Sequence, residues 1–172
     1  MMRSGLISAV AVLLTVVSGC GYRVASKNRS SPQFRTLAVV PLENKTTTSE
    51  VEQILTRSLV RAFVEKSSYQ LINDPSKADA VLRGVVSRLT ASPVIFRRGT
   101  FGSTFLVTLQ AQMELQDQRS GKILYKNDDY IFREQYQINV DIENFFSELN
   151  PALGRVAGDF ASSIVTTLLE SY

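Results

Sequence analysis

The chain has no histidine and a single cysteine among its 172 residues. Without histidine, and with only one thiol, the usual zinc ligand sets and the Cys/His nucleophile pairs are excluded. One cysteine, Cys20, also rules out any intramolecular disulfide. No phosphate-binding glycine loop, no GxGxxG fingerprint and no internal repeat is present. Charge of either sign is scarce: 19 basic against 16 acidic residues give +3, and loss of the N-terminal Arg3 would lower that by one. So small an excess does not suggest nucleic-acid binding. A long apolar run is missing too. Gly5 to Val17 carries no charge but falls short of the ~20 residues that span a bilayer.

That short run instead suits the apolar region of a signal peptide, roughly 7 to 15 residues, with Arg3 as its positive start. Val17-Ser18-Gly19-Cys20 then resembles a lipobox, an aliphatic residue and two small ones before a cysteine that accepts lipid. Small residues let a peptidase approach the backbone, and the sulfur is the atom acylated. The alternative is an ordinary signal peptide followed by a chance cysteine. Residues 1–19 are therefore expected to be a lipoprotein-type signal peptide and Cys20 the lipidation site. Each buried CH₂ adds ~0.8 kcal/mol, so several acyl chains anchor stably where one holds marginally. No aspartate follows Cys20 to signal inner-membrane retention, which points to the outer membrane.

Residues 20–35 form a serine-rich basic stretch with Arg23, Lys27, Arg29 and Arg35, broken by Pro32. It reads as a solvated tether, or as a basic arm resting on anionic headgroups. Residues 36–172 have the length of one domain with a real core. Thr36 to Pro41 is a compact apolar strand ended by proline, and Glu43 to Thr48 a loop. Ser49 to Lys66 is a helix. Ser49 and Glu52 make a capping-box pattern, and Val51, Ile54, Leu55, Leu59, Ala62 and Phe63 share one face. Tyr69 to Ile72 is a short strand or extended link, punctuated by Asn73-Asp74-Pro75. Asp79 to Ser92 is a long strand in which Gly84 marks a bulge or a close approach.

Thr104 to Asp117 has the clearest alternation. Phe105, Val107, Leu109, Ala111, Met113 and Leu115 fall on one face. Thr104, Thr108, Gln110, Gln112, Glu114 and Gln116 fall on the other, with Leu106 the exception. Such a strand packs one face on helices and turns the other toward water. Ser120-Gly121 supplies a hairpin turn, and Ile123 to Tyr136 returns with Leu124, Tyr130, Phe132 and Tyr136 in phase. Asp141 to Phe146 is a loop or a short helical turn. A last helix starts at Asn150 as cap and Pro151 at its first position, with Leu153, Val156, Ala157, Phe160, Ile164, Val165 and Leu168 as its stripe. The expectation is an α+β two-layer domain, two helices on one face of a largely antiparallel four-stranded sheet.

Several segments together resemble the LptE family of lipopolysaccharide-assembly lipoproteins. Cys20-Gly21-Tyr22 is similar to that family's mature start, and Leu37 to Thr46, with its P-x-x-N-x-T stretch, to its first strand. Ala78-Asp79-Ala80-Val81-Leu82-Arg83-Gly84, Asp117 to Lys122 and Tyr130 to Tyr136 follow in the family's order. The resemblance implies the same two-helix, four-stranded fold. It also implies a palmitate-bearing outer-membrane lipoprotein of the Gram-negative envelope, facing the periplasm and the barrel lumen. There it plugs and helps assemble an LptD-type β-barrel that delivers lipopolysaccharide to the outer leaflet. No reaction and no cofactor or metal is implied, so the chain is expected not to be an enzyme. Asp128-Asp129 and Glu43 read as surface acids, since no nucleophile or metal ligand accompanies them. A lipoprotein scaffold of another secretion or envelope assembly is the alternative. Within Pro93 to Gly102, Arg97 and Arg98 lie between Phe96 and Phe101. Guanidinium forks bind phosphate bidentately and a neighbouring aromatic suits acyl chains. These two arginines are the candidate lipopolysaccharide contacts, the alternative being a solvated hairpin turn; Arg83, Arg88, Lys122 and Lys126 are next in line.

Overall fold

A computed structural model describes residues 34–95, 103–138 and 149–171. Cys20 and the tether, Arg97 and Arg98, and the ambiguous Asp141–Phe146 stretch lie outside the described residues. Residues 34–172 form one compact unit. Its elements are β1 (Thr36–Val39), β2 (Glu43–Asn44), α1 (Val51–Lys66), β3 (Gln70–Leu71), a 3₁₀ turn (Pro75–Lys77), β4 (Ala80–Ile95), β5 (Ser103–Asp117), β6 (Ile123–Ile138) and α2 (Leu149–Glu170).

The sheet has six strands, where the sequence suggested four. Its order is β3-β1-β4-β5-β6, with β2 continuing beside β4. The long strands β4, β5 and β6 are antiparallel, and β1, β2 and β3 join in parallel. The extra strands are two residues each, too short to show a period of two. The α+β class holds.

Alternation along β5 divides the sheet into two faces. Val107, Leu109, Ala111, Met113 and Leu115 are buried with Leu37, Leu82 and Val86 of the neighbouring strands. The stripes Val51, Leu55, Leu59 and Phe63 of α1 and Val156, Phe160, Ile164 and Leu168 of α2 close over them. Tyr130 and Phe132 of β6 meet Phe160 edge to face, centroids 5.7 and 6.1 Å apart, a favoured aromatic geometry. A small second cluster of Ala38, Ala78 and Val81 sits apart from this core.

Two local expectations change and a third is resolved. Ser49 and Glu52 form no capping box, because α1 begins after Glu50, which is left-handed at φ 62° and makes no side-chain cap. Glu52 instead accepts from Asn44 at 2.9 Å. Asn150 lies inside α2, which begins at Leu149, and Pro151 sits in the first turn. Gly84 marks a close approach, since a Cβ there would lie 2.7 Å from Met113 Sδ and 2.8 Å from the Gln112 carbonyl. The irregularities in β4 fall later, between Val86 and Arg88 and between Pro93 and Ile95. Among the described residues no helix is long and apolar enough to cross a membrane.

Candidate interaction surface

The segments that stood out in the sequence are mostly fasteners. Asn44 of the P-x-x-N-x-T stretch accepts from the Thr46 amide at 2.8 Å and donates to the Thr48 carbonyl at 2.9 Å. With its bond to Glu52 it ties β2 to the first turn of α1. Thr56 Oγ1 accepts from the Leu42 amide at 3.0 Å, so the loop is held at two points.

Asp79 makes a denser knot. Its carboxylate accepts from the Arg35 and Thr36 amides, both at 2.9 Å, and from the Arg119 guanidinium. Thr36 Oγ1 accepts from the Asp79 amide at 2.8 Å, and the Asp79 carbonyl from the Gln118 amide at 2.8 Å. One residue thus joins the start of β1, the start of β4 and the β5–β6 turn. The Arg119 bond first, then the two amides, hold the Asp79 carboxyl well below the usual carboxylate range. In that turn Asp117 accepts from the Arg119 and Ser120 amides at 2.9 and 2.8 Å, and Gly121 takes φ 69°. Tyr130 and Tyr136 tie β6 to α2, the first to Ser163 at 2.7 Å, the second donating to Asp159 at 2.9 Å. Burial, then the bond to Asp159, pushes the Tyr136 phenol up.

With these residues committed, the face available to a partner is the sheet surface opposite the helices. Cross-strand rows define it: Arg83-Glu114-Lys126, Arg88-Gln110-Ile131, Thr90-Thr108-Arg133 and Ser92-Leu106-Gln135. Polar side chains dominate these rows, and the apolar exceptions on the face are Leu106, Ile131 at 44% exposure, Val85 beside Gln112 and Ile123, 47% exposed, beside Gln116. Gln110 is bonded to Asp129, Arg83 donates to Gln116 at 3.3 Å, and Lys126 pairs with Asp128 at 3.2 Å. Arg88 and Arg133 are exposed and have no ion pair among the described residues. They sit on the strands flanking β5 in neighbouring rows, about 12 Å apart across the sheet.

Of the residues suggested by sequence, Arg83, Arg88 and Lys126 share this face, whereas Lys122 lies in the turn before β6. Arg133 was missed, since nothing in one sequence says that its row falls beside that of Arg88. Arg97 and Arg98 lie between the paired ends of β4 and β5, outside the described residues. Glu43 and Asp128 line one groove with Glu114, Arg83 and Lys126, but each acid has its own partner: Asp128 pairs with Lys126, Asp129 with Gln110, and Glu43 with Lys45 at 3.6 Å. Lys66 donates to Ser162 and to Thr166.

The family model described as LptE, lipopolysaccharide-assembly, matches residues 34–168. A search of curated proteins finds no match. Among solved structures, a hypothetical protein from Chlamydia trachomatis is similar with a TM-score of 0.54 at 9% identity, over 78% of this chain and 95% of that one. A protein from Xanthomonas campestris is similar with a TM-score of 0.52 at 13% identity, over 80% and 88%. Those two share the fold.

Proposed function

The chain belongs to the LptE family of lipopolysaccharide-assembly proteins, and from that premise we propose that it is an outer-membrane lipoprotein which plugs and helps assemble an LptD-type β-barrel. Lipid on Cys20 would hold it at the periplasmic side of the membrane. The observation that carries the barrel partnership is the polar sheet face. Barrel lumens are polar and water-filled, and a domain seated in one needs an outward face rich in amides and hydroxyls. Gln110, Gln112, Thr108 and Thr90 supply that on the side the helices leave uncovered.

Affinity capture of the tagged, membrane-extracted protein tests the partnership. Co-purification of a large heat-modifiable barrel supports it, and recovery of a soluble scaffold complex instead would redirect it. Mass spectrometry of the N-terminus tests the anchor: acyl chains are expected on Cys20, and Cys20→Ser is expected to leave the precursor unlipidated.

The glycolipid contact is proposed at Arg97 and Arg98, whose guanidinium groups suit lipid A phosphates. Charge-assisted bonds of ~1.5–3 kcal/mol each make Arg97→Ala/Arg98→Ala weaken lipopolysaccharide binding at least about tenfold and flatten its salt dependence. If affinity stays unchanged, the contact moves to Arg88 and Arg133 on the sheet face, which the corresponding double substitution tests.

A further inference from the structure

The free edge of β6 and the groove beside it form a second surface, unrelated to glycolipid binding. β6 pairs with β5 on one side, and no described strand lies on its other side. A bare edge presents unpaired amide and carbonyl groups that template another strand.

The two halves of this edge differ. Opposite Ala111 to Gln116 the ladder shifts register twice, and Lys126, Asp128 and Asp129 crowd the same half. Bulges and charges are how proteins block an edge. From Tyr130 to Ile138 the register with β5 runs without a break, so this half keeps the regular geometry a further strand needs.

Beside the regular half, a groove of about 640 Å³ runs between β6 and α2. Phe132 and Tyr136 line its strand side, and Ser163 and Thr167 its helix side. The small helix residues leave room for the inward-facing side chains of an added strand. Glu134 and Asp159 also line it, and no cationic side chain does. Lys66 is bonded to Ser162 and Thr166 farther along the groove, whereas the charges acting at Tyr136 are Glu134, Asp159 and, from outside the lining, Arg155, so only the Tyr136 end is acidic.

We propose that the 130–138 edge of β6 accepts an extended segment of a partner polypeptide as an added strand, with a lysine or arginine of that segment seated between Glu134 and Asp159. Main-chain hydrogen bonds supply the affinity, and the acidic pair sets the preference.

The full-length protein in detergent is titrated with an acetylated, fluorescent eight-residue peptide of alternating threonine and valine with one central lysine. Two companions carry glutamate in place of the lysine, or N-methyl groups on every internal amide. The lysine peptide is expected to bind and to slow hydrogen exchange at amides within 130–138. The glutamate peptide should bind at least about tenfold more weakly, the N-methylated one not at all, and Glu134→Lys should invert the lysine–glutamate preference. Equal binding of the N-methylated peptide, equal binding of both charge forms, protection elsewhere, or no binding at millimolar peptide would each overturn the proposal. Sedimentation without peptide is expected to give monomer. A concentration-dependent dimer protected at the same amides would reassign the edge to a second copy.

Discussion

Single residues here carry unequal weight, and Asp79 carries the most connections. Its carboxyl titrates below its unfolded value because Arg119 and two amides favour the charged form. A depressed carboxylate contributes stability that is present above its unfolded pKa of about 3.9 and is lost as pH falls through the lower folded value. Asp79→Asn should therefore lower the melting temperature at pH 7 and flatten its fall below about pH 4. Thermal melts of both proteins from pH 7 to 2 check this, and parallel curves would mean the knot adds no pH-dependent stability. Gly84 is the second such residue. Because one close neighbour is the Gln112 backbone oxygen, repacking of side chains cannot fully relieve an added methyl. Gly84→Ala should cost about 1–3 kcal/mol, read from denaturant midpoints. Sequence reading marked Gly84 without choosing between bulge and close approach, since only the partner strand decides.

Among the elements, β5 was the most legible, because an alternating strand states which residues face the core. The helices were legible by their stripes, but their ends were not. Glu52 was drawn to Asn44, a partner eight residues away on another element, and no local pattern encodes that. β6 was partly legible. Leu124, Tyr130 and Phe132 pack on the core as expected, but so does Tyr125, because register shifts opposite Met113 and Gln116 change the phase. The clean division of β5 leads to a prediction at this scale. Gln110→Leu/Gln112→Leu alters the outward face alone. Monomer stability should change by at most about 1 kcal/mol, the worth of the Gln110–Asp129 bond, while co-purification with the barrel falls. Equal loss of both would place this face in the core and undercut the proposed seating.

For the whole molecule, Phe34 is a boundary signal: it is buried and stacks on Tyr69 with centroids 4.3 Å apart. A fragment from Phe34 onward includes both helical stripes and every described strand. It should unfold in one cooperative transition, as single domains of this size usually do, with matching midpoints by circular dichroism and tyrosine fluorescence. A broad, probe-dependent melt would mean that a partner completes the core. By itself the sequence determined the α+β class, both amphipathic helices and the two faces of β5. Each follows from the fixed periods of helix and strand, which hydrophobic burial imprints on neighbouring residues. The tertiary structure alone decided the six-strand order, the parallel joining of β1 to β4, the Asp79 knot and the row that sets Arg133 near Arg88. Those depend on pairing between residues far apart in the chain, where register is set by the partner strand and leaves no local period to read.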